Sequence, residues 1–202
     1  FSLSSTVYAG AITSGTVIAS TASACCGLTA DKLFDQSGLS LGYTGGVTDF
    51  DAYLASNTTA TGTSTNPNFP AGYFAPLGAT VDVDVGQSLT LTRLAMWNDH
   101  DYQGVNAFHL LIADNAAFTG AVSLGSFNAL YGNNDNVNLN YAIGAPHQVF
   151  DLADATGRYV RVVFDTAHIG DRINVGELAF DTQVPEPASL ALLGLGLAGL
   201  GF

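Results

Sequence analysis

The second half of the chain repeats one pattern, a short run of strand-forming residues followed by a turn sequence. VDVDVG at 81–86 alternates strictly, and SLTLTRLAMWN at 88–98 follows it. Later runs of the same kind are AFHLLIAD, AVSLGSF, QVFDL, RYVRVVFD and INVGELAFD, separated by turn sequences such as GNNDN, DATG and HIGD. No window has the periodicity of a long amphipathic helix. The pattern therefore predicts an all-β chain folded as an antiparallel sandwich or jelly roll.

The run at 88–98 is a strong strand candidate, and its alternation assigns side chains to faces. Successive side chains of an extended strand point to opposite sides of a sheet. Uniform alternation predicts one face with Leu89, Leu91, Arg93, Ala95 and Trp97, and another with Thr90, Thr92, Leu94 and Met96.

Composition and charge narrow the possible functions. The 202 residues are 48% hydrophobic but only 11% charged, and they include 23 glycines, which suits short strands and turns. Five Lys and Arg against 17 Asp and Glu give a net charge of −12, so a nucleic-acid backbone would be repelled. There is no GxSxG, no HExxH and no phosphate-cradling glycine loop, and the four histidines are scattered. We therefore expect no nucleic-acid partner and no enzymatic activity.

Residues 1–30 are predicted to be either an N-terminal arm or an edge strand. The segment is rich in Ser, Thr, Ala and Gly and contains no Lys or Arg, so any basic secretory signal is expected to have been removed or omitted. An arm of this composition could pair with the exposed sheet edge of another subunit. The adjacent Cys25 and Cys26 leave four states open: buried small residues, free thiols, a strained vicinal ring, or bonds to other chains.

The segment from 33 to about 80 is dominated by turn-forming residues. DQSGLS, LGYTGGVTDFD and ASNTTATGTSTNPNFPAG show little periodicity. We interpret them as long ordered loops over the end of a sandwich. The aromatic residues expected to pin these loops are Tyr43, Phe50, Tyr53, Phe69, Tyr73 and Phe74.

Several of these segments, in their order along the chain, carry a family resemblance. The segments are LFDQSGLS, GYTGGVTDFDAY, LTRLAMWND, FHLLIADNAAF, GRYVRVVF and INVGELAF. Together they resemble a discoidin-type (factor 5/8 C-type) galactose-binding-like domain, in the variant found in exported bacterial proteins. The resemblance implies a jelly-roll β-sandwich over residues 31–182.

The same resemblance implies a structural Ca²⁺. Family members often ligate it with an acidic loop and a Glu of the last strand, which here would be Asp35, Ser37 and Glu177, together with main-chain oxygens. Ca²⁺ prefers several hard oxygen ligands, and a tight loop containing Gly38 could turn carbonyls inward. The alternative is an Asx-type turn at Asp35 and an ordinary polar Glu177.

A polar cluster follows the strand candidate at 88–98. Asn98, Asp99, His100, Asp101 and Tyr102 are consecutive and lie on a predicted loop. With Tyr131 and the asparagine-rich 133–136 they could form an aromatic platform with amide and carboxylate groups, as sugars require. The same residues would suit a solvated turn or a protein contact.

Residues 183–202 form a hydrophobic tail. Val184-Pro185-Glu186-Pro187 followed by an apolar stretch resembles the PEP-CTERM sorting signal of exported bacterial proteins, and the resemblance implies a Gram-negative surface or extracellular location. As a helix, residues 188–202 would span only ~22 Å, short of a ~30 Å hydrocarbon core. Small residues four apart let helices approach closely. The predicted helix–helix contacts involve Leu190, Gly194, Leu197 and Ala198.

Two functions follow from these features. The first is a non-enzymatic surface or matrix protein that assembles with copies of itself into a filament, through its tail and N-terminal arm and with Cys25 and Cys26 as possible cross-links. The alternative is a surface-anchored carbohydrate-binding module with an extracellular polysaccharide as its partner. In either case we expect at least transient membrane contact through the tail.

Overall fold

The computed structural model describes residues 10–22, 27–56, 58–60, 72–98, 103–130 and 145–183. Its strands are β1 (Gly10–Thr13), β2 (Thr16–Ser20), β3 (Thr59–Ala60), β4 (Tyr73–Pro76), β5 (Ala79–Asn98), β6 (Val105–Ala113), β7 (Val122–Asn128), β8 (Ala145–Pro146), β9 (Gln148–Ala167) and β10 (Arg172–Gln183). The helical elements are a 3₁₀ turn (Ala30–Leu33) and α1 (Phe50–Ala55). The predicted all-β antiparallel jelly-roll fold is confirmed.

Two 20-residue strands, β5 and β9, run along most of the sheet and pair with each other over most of their length. Their pairing is interrupted between Asp84 and Leu89, where the chain bends. The first half of β5 and second half of β9 form layer I with β2, β6 and β7. The other halves form layer II with β10, and β1 and β4 flank β10.

The two layers pack their apolar faces against each other in one core. Phe108 of layer I meets Phe150 of layer II edge-on, with ring centroids 5.0 Å apart. The same cluster contains Val162 and Phe164 from layer I and Leu178 from layer II. One sheet, bent across both long strands, therefore makes the whole sandwich.

This bend gives the sandwich two different ends. At the bend end, residues 85–88 of β5 lie opposite the middle of β9. At the loop end, β5 finishes at Asn98, β6 begins at Val105, β9 begins at Gln148 and β10 begins at Arg172. The long connections of the second half of the chain therefore leave and enter at the loop end.

The predicted uniform alternation of β5 is wrong, because the faces of residues 89–91 are exchanged relative to those of residues 93–97. In the pairing of β5 with β10, Arg93 and Leu91 lie opposite the adjacent residues Asp181 and Thr182, so β5 has one extra residue, which is a bulge. A bulge adds a residue to one strand and exchanges the faces beyond it. Leu91 therefore lies in the main core with Leu94 and Met96, and Leu89 packs against that core, away from the face of Trp97.

The loops from Leu39 to Leu54 cover the outer face of layer II, whereas Thr58 lies beside Trp97 at the loop end. Tyr43, Phe50 and Tyr53 form a second cluster with Ala95 and Trp97 on the outer face of layer II. Asp49 caps α1 by accepting a hydrogen bond from Ala52 N at 2.7 Å. Tyr73 and Phe74 belong to β4, and Phe69 lies outside the described residues.

Residues 10–20 pair within the chain's own sheet. β1 pairs with β10, and β2 pairs with the first half of β5. The outer edge of β1 is also occupied, because Ile12 N donates to Thr48 O at 2.9 Å and Gly46 N to Ile12 O at 2.9 Å. The predicted C-terminal helix lies outside the described residues, among which no helix is long and apolar enough to cross a membrane.

Candidate functional site

Glu177 is the most deeply buried acidic residue of the described chain, with no exposed surface. It lies on β10 beside a bulge, where the pairing with β5 shifts between Val175 and Glu177. Val175 and Leu178 both face the main core. The bulge at Gly176 therefore turns Glu177 to the outer side of layer II, next to Trp97, its partner on β5.

The Glu177 carboxyl group is only partly hydrogen-bonded. Its Oε1 accepts from Gln36 N at 3.2 Å, and its Oε2 is buried without a partner. Burial raises the pKa of Glu177 to about 9, the Gln36 hydrogen bond lowers it, and the charge of Asp35 raises it further. A carboxyl with an unpaired oxygen at such depth is costly unless it is neutral or meets a cation.

The DQSGLS loop stands over this carboxyl group. Asp35 Oδ1 accepts from Ser37 N at 2.8 Å, which is an Asx turn, and Gln36 adopts a positive φ of 60°. Lys32 Nζ donates to Asp35 Oδ2 at 2.8 Å and to Ser37 Oγ at 3.2 Å. Burial raises the pKa of Asp35, but the hydrogen bonds from Lys32 and Ser37 outweigh it and leave the pKa lowered.

These residues fit a hard cation. Asp35 and Glu177 are close enough for their charges to interact, and Glu177 Oε2 is a buried oxygen with no other partner. The described chain has no cluster of three or more His, Cys, Asp or Glu residues suited to a metal. A Ca²⁺ here would therefore also need hydroxyl and main-chain oxygens of the loop. Sequence reasoning missed Lys32, whose ammonium group now neutralises Asp35.

The predicted sugar-binding residues Asp99, His100, Asp101, Tyr102 and Tyr131, with 133–136, lie outside the described residues. The strands that flank them are described, and they meet at the loop end. Asn98 and Val105 are joined by two hydrogen bonds, and so are Leu130 and Gln148. The fold thus brings the ends of the two segments to one end of the sandwich.

Trp97 forms the base of this end. Its Nε1 donates to Thr58 O at 3.0 Å, and its ring meets His147 edge-on at 5.9 Å. Beside it, β3 pairs with β8. Burial lowers the pKa of His147, so its imidazole is neutral near pH 7. Sequence reasoning assigned no role to His147, because its contact with Trp97 spans 50 residues.

The remaining predicted sites lie outside the described residues. These are Cys25 and Cys26 and the tail residues Leu190, Gly194, Leu197 and Ala198. His109, which lies on β6, is half-buried, and its Nδ1 lies 2.9 Å from Asp165 Oδ2.

Comparison with known proteins gives the fold and the sorting signal. Truncated AlyQ with CBM32 and alginate lyase domains is 14% identical with a TM-score of 0.50, over 88% of this chain and 35% of AlyQ. The family 32 carbohydrate-binding module of Streptococcus pneumoniae EndoD is 11% identical with a TM-score of 0.51. This similarity covers 85% of the present chain and 97% of that module. The C-terminal domain of a chitobiase from Bacteroides fragilis is 12% identical with a TM-score of 0.52. This similarity covers 85% of the present chain and 95% of that domain.

These similarities show the discoidin-like, galactose-binding-like jelly-roll fold that the sequence predicted. The chain spans about a third of AlyQ and nearly all of the other two domains. No curated protein matches the sequence.

Residues 183–202 match the PEP-CTERM protein-sorting motif. This is an exported bacterial protein. Its predicted location at the cell surface or in the extracellular space is thereby confirmed. The motif begins at the last residue of β10, so the sorting tail follows directly on the sandwich.

Proposed function

We propose that this protein is an exported, non-catalytic carbohydrate-binding module whose ligand surface is the loop end of the sandwich. The observation that carries the proposal is that the described flanks of the two predicted sugar-binding segments lie side by side, since Met96 pairs with Gln148 and Ala107 pairs with Asn128. Similarity to family 32 carbohydrate-binding modules supports it through the fold. Loops at one end of a rigid sandwich are a common place for ligand recognition.

The direction of β10 suits display at a surface. The strand starts at the loop end and runs to Gln183, which lies with Gln87 and Leu89 around a shallow cleft at the bend end. Twelve residues of strand extend ~40 Å. A tail anchored in a membrane would therefore hold the bend end near the lipid and turn the loop end outward.

Binding to oligosaccharides tests the proposal. We expect the protein to bind at least one of chito-oligosaccharides, galactose-terminated oligosaccharides and alginate oligosaccharides, measured by calorimetry. Tyr102→Ala and Tyr131→Ala should each weaken binding about tenfold, because aromatic platforms supply much of the stacking energy for sugars. Tyr159→Ala is the matched control, since Tyr159 is a half-buried aromatic residue at the bend end.

Two results would reject it. One is the absence of binding to all three classes of oligosaccharide by a folded protein. The other is equal weakening by Tyr159→Ala, which would place the binding surface elsewhere.

We also propose that Asp35 and Glu177, with oxygens of the DQSGLS loop, hold a structural Ca²⁺. The unpaired, fully buried Glu177 Oε2 supports this proposal. When bound, the ion would supply positive charge that keeps both carboxylates ionised and ties the loop to β10. Lys32 provides part of that charge to Asp35 in its absence.

Self-assembly into filaments stays a prediction. The residues on which it depends are in the tail and the first residues of the chain, outside those described. Electron microscopy of native material would distinguish filaments from single particles.

A further inference from the structure

The chain has few positively charged side chains, and the structure describes all of them. Five Lys and Arg residues stand against 17 Asp and Glu residues. Four of the five contact a carboxylate, in the ion pairs Lys32–Asp35, Arg93–Asp51, Arg93–Asp181, Arg158–Asp84 and Arg161–Asp82. The fifth is Arg172, which forms no ion pair with any carboxylate of the described residues.

Arg172 lies at the loop end of the sandwich. It is the first residue of β10 and pairs with Pro76, the last residue of β4. Its side chain is exposed, and the neighbouring turns expose Leu77 and Ile169 at 38% and 59%. Leu77 N donates to Asp171 O at 3.2 Å, which joins these two turns. A cation and two aliphatic side chains therefore share one described part of the loop end.

An aromatic ring holds the guanidinium group of Arg172. Its Cζ lies over the ring of Phe74, 5.4 Å from the ring centroid. Phe74 is buried, and its pairing with Asn174 of β10 fixes it in the sheet. A guanidinium that stacks on a ring keeps the N–H groups at its edge, and these match the two oxygens of a carboxylate. Arg172 is therefore placed to donate to a carboxylate from outside the chain.

Among glycans, this arrangement suits the uronic acids. A uronate carries its carboxylate directly on the sugar ring, and the C–H groups of that ring form an apolar face. Arg172 would bind the carboxylate while Leu77 and Ile169 contact the apolar face, which is the usual combination of one well-placed polar group with apolar surroundings. The other four cations are less suited to this role, because their N–H groups already face carboxylates of the protein.

The net charge of −12 restricts the kind of uronate that can bind. At physiological ionic strength, charges separated by more than ~8 Å are largely screened, whereas a hydrogen-bonded pair of Arg and carboxylate is in contact. The surplus of acidic residues would still repel a polyanion that extends across the protein surface. We therefore expect a short or terminal uronate segment to bind more readily than a long polyuronate.

We propose that the loop end binds a glycan that contains uronic acid, and that Arg172 binds its carboxylate. This inference rests on the proposed function and specifies its ligand class. The carboxylate distinguishes such a ligand from neutral chito- and galactose-terminated oligosaccharides, which offer the same apolar faces without the charge.

Oligosaccharides that differ only in their carboxylates test the proposal with the full chain. The probes are short alginate and galacturonate oligosaccharides, each compared by calorimetry with the same compound after reduction of its carboxyl groups to alcohols. We expect at least one of the two uronates to bind about tenfold more tightly than its reduced form. Arg172→Gln should remove this preference by weakening the binding of the uronate alone. Arg172→Lys should keep part of it, because an ammonium group retains the charge and loses the fork of donors.

Arg158→Gln is the matched control. Arg158 is also an exposed arginine beside an aromatic ring, 5.3 Å from the centroid of Tyr159, but it pairs with Asp84 at the bend end. Its substitution changes the net charge by the same amount as Arg172→Gln and should leave the preference for the uronate unchanged. Equal weakening by both variants would mean that net charge alone controls binding, and it would overturn the proposal.

Neutral oligosaccharides keep this test separate from that of the proposed function. If the protein binds chito- or galactose-terminated oligosaccharides but binds neither uronate more tightly than its reduced form, glycan binding holds and the uronate assignment fails. The assignment also fails if Arg172→Gln keeps the full preference at an unchanged melting temperature. A folded protein that binds none of these oligosaccharides would reject both the proposed function and the uronate assignment.

Discussion

The two ends of the sandwich are built in different ways. At the bend end, the turn of β5 is formed by neighbouring residues: Gly86 has a φ of +87°, and its N–H donates to Asp84 Oδ1 at 2.8 Å. At the loop end, the segments are closed by side chains that contact residues far away in sequence, such as Trp97 with Thr58 and Gln148 with Leu130. The bend of β5 is therefore a local feature of the chain, whereas the loop end depends on contacts between distant segments.

Packing at the bend end gives the largest expected effect. A Cβ atom on Gly157 would lie 2.7 Å from Ile112 Cγ1 and 2.9 Å from Ala113 O. Gly157→Val should therefore lower the free energy of unfolding by about 3 kcal/mol, because main chain must move to admit the side chain. Urea denaturation measures this loss, and glycan affinity of the folded fraction should not change.

Gly86→Ala is the control for Gly157→Val. A Cβ atom on Gly86 would meet nothing within 4 Å, so only its positive φ opposes the change. We expect a loss of about 1 kcal/mol. Equal losses for the two variants would show that steric packing does not distinguish Gly157.

Calcium should stabilise the side of the sandwich near the loop end. At a free concentration of 100 times its Kd, Ca²⁺ should raise the free energy of unfolding by about 2.7 kcal/mol. Without metal, stability should fall as pH rises from about 4.5 to about 9, because native Glu177 keeps a proton that the unfolded chain loses. Thermal melts in Ca²⁺ and in EDTA over this pH range measure both effects.

Glu177→Gln should remove both the Ca²⁺ response and most of the fall in stability with pH. The amide cannot ionise, so in EDTA at pH 8 the variant should be no less stable than the native protein. A Ca²⁺ response that survives Glu177→Gln would contradict the site.

Substitution of Trp97, at the base of the loop end, should lower the free energy of unfolding by a smaller amount. Trp97→Phe keeps a ring but leaves the carbonyl of the buried Thr58 without its Nε1 donor. We expect a loss of about 2 kcal/mol in urea denaturation. Tyr159→Phe at the bend end is the control and should cost less than about 0.5 kcal/mol; a larger loss there than at Trp97 would reverse the comparison.

Lys32→Met should have the smallest effect on stability, below about 1 kcal/mol, because the Lys32–Asp35 pair is partly exposed. It should nevertheless tighten Ca²⁺ binding about threefold, since the ammonium group competes with the ion for Asp35 and Ser37. Calorimetry with Ca²⁺ measures this change. Weaker binding in the variant would mean that Lys32 supports the site.

Much of the fold could be predicted from the chain, because strand patterns and turn residues are local signals. The alternation of 81–86 and the HIGD turn were predicted correctly, but the predicted turn DATG lies inside β9, which joins two runs that the sequence had separated. The bulge at Leu91 and Arg93 could not be predicted, because a one-residue shift in pairing depends on the partner strand, here β10. For the same reason α1 was missed, since its six residues are stabilised by packing on Trp97 and Ala95.

Some residues of the candidate sites could be predicted from the sequence, and others could not. A family resemblance singled out Asp35, Ser37 and Glu177, and the fold brings the loop and the strand together. Asn98 was singled out only as part of a polar cluster and Gln148 not at all, because an amide that pairs with another peptide unit looks like any other polar residue. The contact of Lys32 with Asp35 was likewise not predicted, because it depends on the 3₁₀ turn that places the two residues side by side.

The sequence by itself determined that the chain is exported and built from antiparallel strands, because a sorting motif and strand periodicity are written in consecutive residues. Only the tertiary structure decided that both long strands bend, that Glu177 is buried beneath the DQSGLS loop, and that the loop segments share one end. These facts depend on contacts across 50 to 140 residues, and such contacts leave no periodic trace in the chain.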